Sequence, residues 1–215
     1  MQSMAREDYL KSLWKLGSKN VANQELANHL GVTPASATNM IQKLSKEGLV
    51  DYIPYKGASL TGKGVKEALS VVRRHRLLES FLSKTLGLSR EDLHVEAERL
   101  EHALSKELEH EIAKYLGNPI RDPHGHPIPG PNGEIYTNDD LLLSKSPINE
   151  SLMIRQVPDS NSEILAWLEF NGMVPGAQII IVSKNQFDGG MAANINNKII
   201  HISTTVSNLV YVSIE

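Results

Sequence analysis

The sequence contains no cysteine, and this absence excludes several kinds of site. The chain cannot form a disulfide, offer a thiolate to a metal ion or use a cysteine nucleophile. Any bound metal ion must therefore be held by oxygen and nitrogen atoms.

Long apolar stretches are also missing. No run of about 18 apolar residues occurs, which excludes a typical membrane-spanning helix. The first residues include the charged side chains of Arg6, Glu7, Asp8 and Lys11, unlike a secretory signal. We therefore expect a cytoplasmic protein with no membrane partner. Its 215 residues, 40% hydrophobic and 22% charged, are typical of one to three ordinary domains.

We find no arrangement of a nucleophile with a base, so we expect neither an enzyme nor a small-molecule substrate. Charge is distributed unevenly along the chain. Residues 1–76 contain 12 lysines and arginines against 6 aspartates and glutamates, whereas the remainder contains 10 against 19. The basic N-terminal part suits binding to a polyanion such as DNA, and the acidic C-terminal part suits binding to cations.

Residues 23–44 have the pattern of a helix-turn-helix. Asn23 is expected to cap a first short helix and Gly31 to end it. The second helix should begin with Thr33 as its cap, and its outer side carries small and amide side chains that suit base edges in the major groove. The residues expected at the DNA are Thr33, Pro34, Ala35, Ser36, Thr38, Asn39 and Gln42. An ordinary helical hairpin is the alternative.

Residues 49–61 predict a strand, a turn at Lys56-Gly57 and a returning strand, as in the wing of a winged helix. Basic side chains around these elements should contact phosphates irrespective of the DNA sequence. They are Lys43, Lys46, Lys56 and Lys63.

A helix through His94 and His102 carries an unusual polar face. His94, Glu98, Glu101 and His102 fall within one arc of ~100°. No basic residue follows Glu98 or Glu101 four positions later, so the converging carboxylates should repel each other unless a cation lies between them. A solvated acidic face is the alternative. A separate apolar stripe should be buried: Leu93, Ala97, Leu100, Leu104, Leu108 and Ile112.

Two further regions contain histidine. His75 and Glu79 are four residues apart on a long helix predicted over residues 65–86, a spacing that suits a metal pair or an ordinary surface contact. Residues 117–147 are rich in proline and glycine and predict a tether. His124 and His126 lie in this segment, where no further ligands are evident. The C-terminal part predicts a small β-barrel of about five strands with one helix over residues 160–170.

Together these features resemble the metal-dependent repressors of the diphtheria-toxin-repressor and manganese-transport-regulator family, over essentially the whole chain. The resemblance is carried by Glu7-Asp8-Tyr9-Leu10, the helix-turn-helix with Lys43-Leu44 and Glu47-Gly48-Leu49-Val50, Arg74-His75-Arg76-Leu77, His94-x-Glu96-Ala97-Glu98-x-x-Glu101-His102 and Pro127-Ile128-Pro129-Gly130. It implies an α+β chain of three domains. These are a winged helix-turn-helix over residues 1–72, a helical dimerisation and metal-binding domain with the Pro-rich tether over 73–146, and an SH3-like or FeoA-like β-barrel over 147–215.

The resemblance also implies two metal sites. The primary site maps onto Asp8, Glu98, Glu101 and His102. The ancillary site maps onto His75, Glu79 and His94, completed by an acidic residue of the C-terminal domain. Asp159 is the first choice for that residue and Glu163 the second, while a helix-cap role is the alternative for Asp159.

The implied function is that of a transcriptional repressor that binds double-stranded operator DNA as a homodimer and controls metal-ion uptake genes. Asp8 and Glu98 stand where iron-responsive members have sulfur ligands, and oxygen donors favour Mn²⁺. An Fe²⁺-responsive repressor is an alternative, and Zn²⁺ or other divalent ions should substitute in vitro. Lys11 stands where the two-domain manganese regulators have glutamate, which argues against a second ion beside the first.

Two other classes of protein are alternatives. A winged-helix regulator that senses a small organic ligand would need an apolar pocket, and the polar helix would be incidental. A carboxylate-bridged metalloenzyme would leave the wing unexplained. For the repressor we expect the carboxylates to repel each other without metal, so that the first helix can move away.

Overall fold

The computed structural model describes residues 2–135, 139–159 and 161–214. Its helices are α1 (Gln2–Lys15), α2 (Asn23–Leu30), α3 (Pro34–Lys46), α4 (Gly62–Leu86), α5 (Arg90–Leu100), α6 (Lys106–Tyr115), α7 (Ser162–Phe170) and α8 (Thr204–Ser207). Its strands are β1 (Val50–Ile53), β2 (Gly57–Leu60), β3 (Leu141–Leu142), β4 (Ser151–Gln156), β5 (Gln178–Lys184), β6 (Met191–Ile195), β7 (Lys198–Ile202) and β8 (Tyr211–Ile214). The predicted mixture of helix and sheet is confirmed.

The first three helices and the β1–β2 hairpin form a winged helix-turn-helix around one apolar core, in which Leu10, Leu26 and Ile41 are fully buried. Gly31 ends α2 in the left-handed conformation, with a φ of 65°. The side chain of Thr33 caps α3, as its position before a proline predicts.

The predicted cap role of Asn23 is wrong. Ala22 precedes α2 and makes no side-chain cap, and Asn23 is the first helical residue. Its amide nitrogen instead donates to the hydroxyls of Thr38, at 2.8 Å, and Tyr52, at 3.3 Å. Asn23 therefore fastens α2 to the recognition helix and to the wing, a role that local sequence does not reveal.

Helix α4 joins the winged helix to the helical region. Ala68 belongs to the core of the winged helix, whereas Leu77 packs with Ala97 and Ile112 in a second core. Because α4 continues across residue 72 without a break, the two cores share one rigid element. The domain boundary at residues 72 and 73 stays a prediction.

The predicted helix through His102 ends earlier than expected. Helix α5 stops at Leu100, and α6 begins five residues beyond Glu101, with Ser105 as its cap. The predicted apolar stripe, which assumed one continuous helix, is only partly buried. Leu93, Ala97 and Ile112 are buried, but Leu100 is 42% and Leu108 is 53% exposed.

The proline- and glycine-rich segment is not a free tether in its first half. Arg73 and Arg76 of α4 donate to the carbonyl oxygens of Pro129 and Pro127, at 2.7 and 2.5 Å. Ile128 is buried in the helical core. These contacts hold Pro127 and Pro129 against α4, because the arginine side chains satisfy the two backbone carbonyl oxygens.

The C-terminal region is one antiparallel sheet with the strand order β3-β8-β4-β5-β6-β7. Helix α7 buries Leu165 and Leu168 in the same apolar core as the sheet. Strands β4 to β8 correspond to the five predicted strands, whereas β3 and α8 were not predicted. Ser160, the predicted start of the helix, lies outside the described residues. In the part of the chain that the structure describes, no helix is both long and apolar enough to cross a membrane.

Candidate metal centre

Three residues of the predicted primary site converge where the end of α5 meets α1. Nε2 of His102 lies 2.9 Å from Oδ1 of Asp8 and 3.5 Å from Oε1 of Glu101. Their ligand atoms lie within 4.8 Å of one another. Burial raises the pKa of Asp8, and the opposing effects of His102 and Lys11 do not cancel it. We call Asp8, Glu101 and His102 the Asp8 cluster.

Glu98, the fourth predicted ligand, contacts different neighbours. Its Oε2 lies 2.6 Å from Nζ of Lys11 and 3.4 Å from Nδ1 of His75. Glu98 thus groups with His75 and Glu101, within 4.8 Å, beside the Asp8 cluster. Burial would raise the pKa of Glu98, but Lys11 outweighs burial and lowers it.

Lys11 is the basic partner that sequence reasoning considered absent. Its Nζ lies 2.6 Å from Glu98 and 2.5 Å from Oε1 of Glu101, and only 4% of its side chain is exposed. Burial lowers the pKa of Lys11, but Glu101 and Glu98 outweigh burial and raise it. The pairing was missed because a search along one helix cannot find a partner about ninety positions away in sequence.

Glu7 is a further acidic neighbour that the sequence analysis did not single out. Its Oε2 lies 2.7 Å from Nδ1 of His102 and 2.9 Å from Nη2 of Arg74. Arg74 also donates to the carbonyl oxygen of Glu101, at 2.8 Å. Each ring nitrogen of His102 therefore faces a carboxylate of α1. Arg74 connects α4 to Glu7 and to the backbone of Glu101.

The predicted ancillary residues His75, Glu79 and His94 also come together. Nε2 of His75 is 3.1 Å from Oε1 of Glu79 and 3.1 Å from Nδ1 of His94. Burial lowers the pKa of His75, but Glu101 and Glu79 outweigh burial and raise it to about 9. Burial would raise the pKa of Glu79, whereas the histidines around it hold that pKa well below its usual range.

A group of buried side chains lies next to Glu79. Oε2 of Glu79 is 3.8 Å from Nδ1 of His124, and Nδ1 of His126 is 3.5 Å from Asp122 and 3.8 Å from Asp159. Within the described residues, five buried atoms here have no hydrogen-bond partner: Glu79 Oε2, Asp122 Oδ2, His124 Nδ1, His124 Nε2 and His126 Nδ1. We call these residues, with Asp159, the His124 cluster.

Unpartnered buried polar atoms are costly, and carboxylate oxygens and imidazole nitrogens are ligands for Mn²⁺, Fe²⁺ or Zn²⁺. The donor set of the His124 cluster therefore fits a divalent metal ion. Burial lowers the pKa of His124, but Glu79 and Asp122 outweigh burial and raise it. In the sequence, His124 and His126 stand in a proline- and glycine-rich segment without evident further ligands, because Glu79 lies 45 residues away on a different element.

The loop that carries this cluster is shaped by Asp122 and Gly125. Oδ1 of Asp122 accepts from the backbone amides of His124 and His126, each at 2.9 Å, which leaves Oδ2 facing the cluster. Gly125 has a φ of +89°, and a Cβ there would lie 1.9 Å from the carbonyl oxygen of Arg155. Only glycine combines this backbone conformation with such close approach.

The two acidic choices in the C-terminal region have different surroundings. Asp159 faces His126, which lowers the pKa of Asp159 against the raising effect of burial. The cap of α7 is Asn161, so the cap role considered for Asp159 is wrong. Glu163 is exposed on α7, where it lines a shallow pocket with Trp167 and belongs to none of the ligand groups found among the described residues.

The recognition helix presents its predicted side chains outward. Thr33, Pro34, Ala35, Ser36, Asn39, Gln42 and Lys43 are exposed. Thr38 is half-buried, and its hydroxyl donates to the carbonyl of Pro34 and accepts from Asn23. Gln42 and Lys56 line opposite sides of a groove of about 570 Å³ between α3 and the wing.

Comparisons with known proteins match three successive parts of the chain. Residues 1–58 match the iron dependent repressor N-terminal DNA binding domain, residues 61–130 match the iron dependent repressor metal binding and dimerisation domain, and residues 141–214 match the FeoA domain. The predicted order of a DNA-binding, a dimerisation and an FeoA-like unit is confirmed.

Individual relatives agree with these matches. An uncharacterised HTH-type transcriptional regulator of Methanocaldococcus jannaschii is 40% identical over 106 residues, which are 48% of this chain and 85% of that protein. The HTH-type transcriptional regulator MntR of Bacillus subtilis is 38% identical over 107 residues, 49% of this chain and 75% of that protein.

Two solved structures are similar over the full length. A manganese-dependent transcriptional repressor in complex with manganese has a TM-score of 0.89 and 32% identity, covering 97% of this chain and 99% of the other. ScaR with bound Zn²⁺ has a TM-score of 0.84 and 32% identity, covering 98% and 99%.

Proposed function

This chain belongs to the iron-dependent repressor family, and we propose that it is a manganese-responsive transcriptional repressor. It binds operator DNA as a homodimer through the winged helix-turn-helix, controls genes for metal-ion uptake and acts in the cytoplasm. The family is one of transcriptional repressors, not of enzymes. We propose the domain boundaries 1–72, 73–146 and 147–215.

The observation that carries the proposal is the contact between Asp8 and His102. Asp8 lies on α1, whose Leu10 shares an apolar core with Ile41 of the recognition helix. His102 follows α5 in the helical region. Side chains from the DNA-binding and dimerisation parts therefore meet at one candidate metal site, 2.9 Å apart.

A divalent ion bound at the Asp8 cluster supplies a positive charge that ligands from both parts share. Asp8 then holds α1, and with it α3, at one angle to the helical region, with Glu98 beside Glu101 completing the primary set. Two recognition helices must lie about 34 Å apart to read successive half-sites, so a fixed angle favours DNA binding. DNA must in turn tighten metal binding by the same factor, typically 5–150-fold.

We propose the His124 cluster as the second metal site. Its support is the set of buried atoms without hydrogen-bond partners on Glu79, Asp122, His124 and His126. Asp159 contributes from the segment between β4 and α7, so an ion here would connect the helical and C-terminal regions. The other predicted ancillary ligands, His75 and His94, contact the second carboxylate oxygen of Glu79, Oε1.

All proposed ligands are oxygen or nitrogen atoms, which suits Mn²⁺ and also accommodates Fe²⁺ and Zn²⁺. The direct test measures fluorescence anisotropy of operator DNA from the promoter of a neighbouring metal-transporter gene. Mn²⁺, anaerobic Fe²⁺, Zn²⁺ and a chelator are compared at one salt concentration, because affinity for DNA depends strongly on salt.

We expect Mn²⁺ to tighten binding and Glu101→Ala to abolish that gain. Glu96→Ala is the matched control, since Glu96 lies on α5, which ends immediately before Glu101, and its carboxylate pairs with Arg99 instead. Equal binding with chelator and with metal would contradict the proposal and favour a regulator that responds to an organic ligand.

A further inference from the structure

Lys11 occupies the position between two proposed ligands, Glu98 and Glu101. We propose that Lys11 is a tethered cation that competes with the divalent ion for these carboxylates and so sets the metal concentration at which the Asp8 cluster fills. This inference rests on the proposed metal response and identifies a further residue that tunes it.

The ammonium of Lys11 and the Asp8 cluster share one oxygen atom, Oε1 of Glu101. Oε1 of Glu101 is 2.5 Å from Nζ of Lys11 and 3.5 Å from Nε2 of His102. An ion held by Asp8, Glu101 and His102 therefore has to share this oxygen with the ammonium or displace it. The other carboxylate oxygen of Glu101 is already 2.6 Å from Nδ1 of His75, so Glu101 has no free oxygen to offer instead.

Burial makes this competition strong. The side chain of Lys11 is 4% exposed and that of Glu101 is fully buried, so solvent screens their attraction weakly. An ammonium ion at hydrogen-bond distance neutralises part of the charge that would attract a divalent ion, and it also repels that ion. The chain thus contains its own counter-ion for the converging carboxylates.

Lys11 and Asp8 belong to the same helix, α1, and this changes the expected metal-free state. Repulsion among the carboxylates was expected to release α1 in the absence of metal. Lys11 instead gives α1 a link to Glu98 and Glu101 that its own charge supplies. Metal binding would then replace the link through Lys11 by a link through Asp8. The metal concentration at which this happens depends on the difference in free energy between the two links.

The test is an Mn²⁺ titration of the full chain, followed by the loss of the free-ion electron paramagnetic resonance signal. Asp8→Ala identifies which binding step belongs to the Asp8 cluster. We expect Lys11→Met to tighten that step by about tenfold or more. The substitution removes a positive charge that repels the divalent ion at contact distance and competes with it for the carboxylates. Lys11→Arg keeps the charge and should tighten that step far less than Lys11→Met does.

Lys15→Met is the matched control. Lys15 lies one turn further along α1, is exposed, and makes no ion pair with Glu98 or Glu101 within the described residues. It should change the Asp8-dependent step by less than about threefold, since solvent screens its charge.

An unchanged Asp8-dependent step in Lys11→Met would overturn the proposal. Weaker binding would also overturn it, because Lys11 would then orient the carboxylates for metal instead of competing. Thermal unfolding in chelator checks that each variant folds, and Lys11→Gln is the second neutral variant if Lys11→Met does not. If the unmodified chain shows no Asp8-dependent step at all, the proposed primary site fails, whatever Lys11 does.

Discussion

Nδ1 of His75 lies 2.6 Å from Oε2 of Glu101, and both side chains are buried. The other nitrogen of the same ring lies 3.1 Å from Glu79, which faces His124. One imidazole on α4 therefore stands between the Asp8 cluster and the His124 cluster. The same buried ring thus contacts one acidic residue of each cluster.

The first prediction concerns pH. The folded protein raises the pKa of His75 from 6.5 to about 9, so protonated His75 stabilises the fold fully below pH 6.5. This stabilisation is lost as the pH rises towards 9, and the metal-free protein should lose up to about 3 kcal/mol of unfolding free energy. Urea unfolding in chelator between pH 6.5 and 9.5 measures it. His75→Gln should reduce the dependence of the unfolding free energy on pH. The same pH dependence in the variant and the unmodified chain would show that His75 is not the group responsible.

The second prediction separates dimerisation from metal-dependent DNA binding. Asp8→Ala removes a ligand from α1 and leaves the helical region unchanged. We expect light scattering to show an intact dimer, while the Mn²⁺-dependent gain in operator affinity disappears. A variant that still binds the operator only with Mn²⁺ would show that the Asp8 cluster is not the regulatory site.

The third prediction concerns the His124 cluster. His124→Ala should reduce the Mn²⁺ bound at saturation by one ion per chain, and the rise in unfolding temperature caused by Mn²⁺ should shrink with it. His110→Ala is the control, because His110 is exposed on α6 and away from the cluster. Stoichiometry that stays unchanged in His124→Ala would exclude this residue as an essential ligand.

The fourth prediction compares two glycines of positive φ. Gly125 (φ +89°) meets the backbone of Arg155, whereas Gly117 (φ +81°) has open space where a Cβ would lie. Gly117→Ala should cost about 1 kcal/mol through backbone strain alone. Gly125→Ala should cost at least about 1–3 kcal/mol more and weaken metal binding at the His124 cluster, because the loop must shift. Equal unfolding free energies of the two variants would argue against a tight contact.

The fifth prediction distinguishes base reading from phosphate contact. Gln42→Ala on the recognition helix should weaken operator binding by about 1–3 kcal/mol and reduce discrimination between sequences. Lys56→Ala on the wing should weaken binding to all DNA alike and lower the salt slope by about one. Anisotropy titrations with operator and scrambled DNA at several salt concentrations check both outcomes.

Short-range patterns in the sequence predict several caps and turns correctly, although they misplace the start of α2 and the end of α5. Gly31 and Thr33 mark the turn of the helix-turn-helix, and Ser89 caps α5, because caps and turns are decided by residues within about four positions. The order of motifs was sufficient to recognise the family. The helical spacing of Glu98, Glu101 and His102 indicated a cation site before any contact was known.

Tertiary contacts decide which charged groups lie together. Lys11 contacts Glu98 and Glu101 from α1, and His124 reaches Glu79 on a distant helix, over separations that local periodicity does not reveal. Burial also depends on packing: the proline- and glycine-rich segment is buried at His124 and His126, and arginines of α4 donate to its carbonyl oxygens. The order and types of the candidate ligands can be read from the sequence, whereas the balance of charge among them depends on contacts that only folding creates.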